Sequence, residues 1–163
     1  MLGVFAAQDF KERAVFWFLP PLLAIAFAGL AYSRLRDWGG YWLPVFFNLE
    51  FIALVLLMTT AYCSIRKRRF VNIMRFLGLG DILFLVAIAF YLSELNFAFF
   101  FVASSIMVLF CWRLWRWASG RVALFIPLVG FYAFFLLLML SCDWFLFHFN
   151  VTNNFWLWRL MFY

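Results

Sequence analysis

Gly78-Leu79-Gly80-Asp81 runs directly into an apolar stretch at residues 82–92. An ionisable carboxylate at the mouth of a membrane helix is expensive unless it lines a polar cavity, so Asp81 is a candidate for function from the outset. Gly78 and Gly80 would let the backbone turn sharply there and approach a substrate closely. Asp9, which opens Asp9-Phe10-Lys11-Glu12-Arg13, is the carboxylate that could work with it. Two carboxyl groups sharing a low-dielectric site cannot both ionise cheaply, so one keeps a proton near neutral pH. The ionised partner can take a proton from water as the water attacks a peptide carbonyl; the protonated one polarises that carbonyl and later protonates the amine. Which Asp plays which part stays open, because such a pair titrates as a unit. The competing role for Asp81 is purely structural, as a helix N-cap accepting the orphan amides of the turn that follows.

Other chemistries find few residues. His148 is the single histidine and stands far along the chain from both carboxylates, so no Ser-His or Cys-His nucleophile is available near them. Cys63, Cys111 and Cys142 stand apart without a C-x-x-C pair, which argues for small buried hydrophobes over a zinc site or a disulfide framework. A metal would have to rest on carboxylates alone, and neither a metal nor a cofactor is expected. The formal charge of +6 would raise nucleic acid as a partner in a water-soluble protein, but most of the basic residues fall between apolar runs. Topology and anionic lipid headgroups account for them instead.

The elements that must position the two carboxylates are membrane helices. With 69% hydrophobic residues and a mean hydropathy of +1.02, the chain lies well above the roughly 45–50% apolar content of a soluble domain. Residues 15–33 and 43–65 are each long enough for a hydrocarbon core about 30 Å thick. Pro20 and Pro21 belong to the first turns of the earlier run, and Gly39-Gly40 to a polar turn between the two. Residues 82–112 are too long for one ordinary span and are interrupted at Ser93-Glu94-Leu95-Asn96, which predicts a short helical hairpin. A last span covers residues 122–140, interrupted by Pro127 and Gly130. The expected fold is therefore an all-α, polytopic membrane bundle of about five spans, with residues 1–8 as the remnant of a sixth. It forms a single membrane domain: a cytoplasmic segment at 1–14 carrying Asp9, the bundle at 15–140, and an aromatic interfacial tail at 141–163. Within that tail Asn150-Val151-Thr152 fits the glycosylation pattern, which is read as a chance match.

Charge orients the bundle. Arg66-Lys67-Arg68-Arg69 is the densest basic segment and marks the cytoplasmic face. Counting spans back and forward from it puts Asp9 and Asp81 on that same side, with only Arg34, Arg36 and Arg159 of the basic residues on the other. A rival first carboxylate, Asp37, lies seven residues before Pro44 but falls on the outer side and one span from Asp81, so Asp9 is preferred.

Gly78-Leu79-Gly80-Asp81 at a helix start resembles the G-x-G-D motif of the type IV prepilin peptidases and archaeal preflagellin peptidases, which are intramembrane aspartyl proteases. A chain of this composition would show the pattern by chance about 0.02 times. In that family the first catalytic Asp begins a segment like D-x-R-x-x-x-I-P-N, and two spans separate it from G-x-G-D. Asp9 to Phe16 looks like that segment, with Lys11 at the usual first basic position, Arg13 following, and Val15 in place of the isoleucine. Phe125-Ile126-Pro127-Leu128-Val129-Gly130-Phe131 looks like the family's I-P-F-G-P-F segment in the last span. The chain departs from the pattern at Phe16, where a proline is usual, at Leu83, where a lysine is usual, and in lacking most of the first span. It also lacks the zinc-binding cysteine domain of longer members, so no methyltransferase activity is implied.

The resemblance implies a multi-pass protein of the bacterial inner membrane that cuts the leader of a prepilin-like membrane protein at the cytoplasmic face, in the setting of a type IV pilus. Asp9 and Asp81 would be its catalytic pair, supported by Gly78, Gly80, Lys11, Arg13 and Pro127. The departures point to the alternative, a catalytically impaired, peptidase-like subunit that binds and stabilises a membrane protein complex. A small transporter ranks last, because few polar residues lie along the middle of the spans. The expected partners are the lipid bilayer and a membrane protein, with no nucleic acid.

Overall fold

The computed structural model describes residues 2–3, 18–35, 38–68, 78–119, 128–147, 151–152 and 154. Among the described residues, five α-helices make up an all-α bundle: α1 (Leu19–Leu35), α2 (Trp38–Lys67), α3 (Leu79–Ala89), α4 (Glu94–Ser119) and α5 (Leu128–Ser141), the last continued by a π-helical stretch at Cys142–Phe147. Three stretches among the described residues, Gly40–Lys67, Glu94–Leu114 and Leu128–Phe145, are long and apolar enough to cross a membrane. Residues 15–17 and 122–127, at the starts of two expected spans, lie outside the described residues.

Each helix start follows from local chemistry. Pro20 and Pro21 occupy the first turn of α1, where the backbone N–H groups have no intrahelical acceptor and a missing donor costs nothing. Gly39 and Gly40, expected in the turn between spans, belong instead to the first turn of α2. There the same orphan donors and the weak demand for regular packing make glycine cheap. At the far end of α2, Arg68 takes φ of 50° and its N–H donates to the Ile65 carbonyl at 3.3 Å, a left-handed stop that closes the last turn.

Helix α3 is the innermost element, packed against α1, α2 and α5, with Phe84, Leu85, Ala87, Ile88 and Ala89 buried. It has only 11 residues, about 16 Å at 1.5 Å per residue. The expected interruption of residues 82–112 is present, displaced to residues 90–93, while Glu94, Leu95 and Asn96 already belong to α4. This break lies inside the bundle, since Tyr91 stacks on Phe27 halfway along α1 with ring centroids 5.1 Å apart. Buried helix-end carbonyls need donors, and α2 supplies them from one face. The Tyr41 hydroxyl donates to the Phe90 carbonyl at 3.1 Å, and both hydrogens of the Asn48 amide are used, on the Ala89 carbonyl at 3.1 Å and the Leu92 carbonyl at 2.8 Å.

The tail covers the break. The Val151 carbonyl accepts from Asn96 Nδ2 at 2.8 Å and, at a longer 3.4 Å, from both the backbone N–H and the hydroxyl of Ser93. Asn154 Nδ2 donates to Glu94 Oε2 at 2.9 Å. Val151 and Thr152 are both buried by this packing. Outward faces carry apolar side chains such as Leu57 and Ile65 on α2 and Ile106 and Phe110 on α4, as a lipid-facing surface requires.

Candidate active site

Asp81 sits in the first turn of α3, where Gly78 is the N-cap and Asp81 the third helical residue. Its Oδ2 accepts the Gly78 N–H at 3.1 Å, and its own N–H donates back to the Gly78 carbonyl at 3.0 Å. The structural role anticipated for Asp81 therefore exists in a changed form. It is the reaching-back half of a capping box, placed at N3 and not at the N-cap, and its charge complements the positive end of the helix.

Gly78 does not make the sharp turn its type predicts. Its φ of −60° and ψ of 143° are open to any residue, and a Cβ there would meet Asp81 Oδ2 at an ordinary 3.4 Å. Gly80 lies within the first turn of α3. The backbone approach to the carboxylate is thus set by the helix start itself.

The Asp81 side chain is only partly buried and lines a cavity of about 130 Å³ between α2, α3, α4 and α5. Apolar side chains dominate its walls: Phe51, Ile52 and Leu56 from α2, Leu85 from α3, Phe101 from α4. Three of its lining residues are polar, Thr59, Asp81 and Tyr132. The Thr59 hydroxyl donates to its own helix at the Val55 carbonyl, 2.7 Å away. The Tyr132 hydroxyl pairs with Ser105 of α4 at 3.3 Å. A carboxylate on the wall of an apolar pocket, beside a hydroxyl, can hold and polarise a water molecule or a peptide group that enters.

Of the residues predicted to act, Asp81, Gly78 and Gly80 fall at this helix start. Asp9, Lys11, Arg13 and Pro127 lie outside the described residues, as do the rival Asp37, the lone His148 and the departure site Phe16. Leu83, the other departure site, is partly buried within α3. Among the described residues no three of His, Cys, Asp and Glu converge as metal ligands would. Tyr132 and Thr59 carry no sequence signal that links them to Asp81; only the packing of the helices brings all three to one cavity. The sequence shows Asn48 as a polar residue in an apolar run, while its partners on the Ala89 and Leu92 carbonyls come only from the fold. No protein family, curated protein or solved structure matches the chain.

Proposed function

We propose that the protein is an intramembrane aspartyl endopeptidase of the prepilin-peptidase type, resident in a bacterial inner membrane, that cuts the leader of a prepilin-like membrane protein at the cytoplasmic face. The observation that carries this reading is Asp81 itself: a partly buried carboxylate at the start of the innermost helix, on the wall of an apolar cavity that has room for a reacting group. Asp9 is its partner in this proposal. One of the two carboxyl groups takes a proton from water, the water oxygen bonds to the peptide carbonyl carbon, and the other protonates the leaving amine as the C–N bond breaks.

A second reading has one observation in its favour. The bond from the Gly78 N–H gives Asp81 a structural post that requires no catalysis, as in a peptidase-like subunit that stabilises a membrane protein complex. Co-expression with a prepilin-like substrate in membranes separates the two. Cleavage by the wild type, lost in both Asp9→Asn and Asp81→Asn, is the expected result. Cleavage that survives either substitution rules out the carboxylate pair, and a wild type inert toward such substrates favours the subunit.

A further inference from the structure

We infer that Tyr132 belongs to the same reaction centre, donating a hydrogen bond to the carbonyl oxygen of the peptide under attack. The inference rests on the aspartyl-peptidase reading and adds a residue that neither the motif nor its spacing indicates. Attack by water moves negative charge onto that oxygen, so a hydroxyl or amide donor aimed at it from a water-poor wall speeds the step. Among the cavity's polar side chains, Thr59 spends its hydroxyl proton on the Val55 carbonyl. Asp81 accepts a backbone N–H through one oxygen. Tyr132 is the one that carries a hydroxyl proton not committed to its own backbone.

Its setting fits a fixed donor. The ring is buried, one helical turn into α5, and packs edge-on against Phe100 with centroids 6.2 Å apart. The only soft coordinate left is rotation of the O–H bond. Ser105 lies 3.3 Å away on α4: when the serine hydroxyl donates to the tyrosine oxygen, the tyrosine proton is directed elsewhere, and Tyr132 lines the cavity that Asp81 lines. Tyr132 keeps its proton throughout. The oxygen–carbon bond formed by water, the broken C–N bond and the proton delivered to the amine are all accounted for by water and the carboxyl pair.

The test is turnover of a single-span leader peptide, a basic segment followed by an apolar helix, by the full chain in membranes. Tyr132→Phe keeps the ring against Phe100 and removes only the donor; kcat is expected to fall about 100-fold with KM changed less than about threefold. Ser105→Ala leaves ring and hydroxyl in place and is expected to lower kcat about fivefold in the same manner. Unchanged kcat in Tyr132→Phe, or a rise in KM alone, overturns the assignment. Should Tyr132→Phe fail to fold, unchanged kcat in Ser105→Ala overturns it instead. Asp81→Asn run in parallel separates the two levels. If Asp81→Asn is inactive while Tyr132→Phe turns over normally, only the role of Tyr132 falls; if Asp81→Asn, too, turns over normally, or the wild type cuts nothing, the peptidase reading falls and Tyr132 with it.

Discussion

Asn48 is buried, and its two amide hydrogens are the partners of two carbonyls at the end of α3. Removing them strands both acceptors away from water, so Asn48→Leu is expected to cost about 2–4 kcal/mol, read as a lowered unfolding midpoint in detergent. Asn48→Asp keeps the shape but presents oxygens to oxygens, and is expected to be at least as damaging; a wild-type midpoint for either variant would contradict this account. Gly78 makes the opposite case. Because its backbone angles suit any residue and the added methyl meets only an ordinary contact, Gly78→Ala is expected to leave stability within about 0.5 kcal/mol of wild type in the same measurement. A large loss there would mean that the helix start is tighter than its geometry. The Asp81 cap is of similar modest size. Asp81→Asn retains an acceptor and should fold as wild type, while Asp81→Leu is expected to lose about 1 kcal/mol.

At the level of elements, α3 is the unusual one. It stops well short of the roughly 30 Å that a full span needs, and its end is enclosed by α1, α2 and the tail. Irregular backbone at such depth is tolerated only where protein covers it and satisfies it. The cover here is the segment around Val151, whose carbonyl gathers Ser93 and Asn96. A chain ending after Phe147 should therefore open the break. With Cys63, Cys111 and Cys142 replaced by Ala, Ser93→Cys is expected to resist a water-soluble maleimide in the full-length protein and to react in the shortened one. Equal reactivity in both would show that the tail does not seal it.

Across the whole molecule, direction along the bundle links charge to the site. Asn48 of α2 holds the Leu92 carbonyl just before α4, Phe51 meets Phe97 and Phe101, and Phe101 lines one cavity with Val55 and Thr59, so α2 and α4 run alongside each other in the same sense. Their last turns bring Arg66 and Lys67 to one end together with Arg116. Asn48, toward the start of α2, bonds the far end of α3, so the Asp81 end of α3 lies toward that same basic end. The excess of positive charge predicts that this end faces the cytoplasm. In the cysteine-free background, Arg68→Cys should react with an impermeant maleimide only when the inner face is opened to it, and Ser33→Cys, exposed near the other end of α1, only from outside. The reverse pattern would put Asp81 on the wrong side of the membrane for cutting a leader.

What could be read from the order of residues alone is what depends on each segment by itself. Apolar runs of span length, proline in a first turn, the helix start at Gly78-Leu79-Gly80-Asp81 and a break between residues 82 and 112 are all local, because hydropathy and backbone preference act over a few neighbouring positions. The tertiary structure decided everything that joins distant segments: Asn48 with carbonyls 41 and 44 residues away, the Asn96 amide with the Val151 carbonyl 55 residues on, and Tyr132 set beside Asp81 in one cavity. A buried polar group costs free energy until it finds a partner, yet several residues could serve as that partner, and only the packed arrangement of the helices selects one.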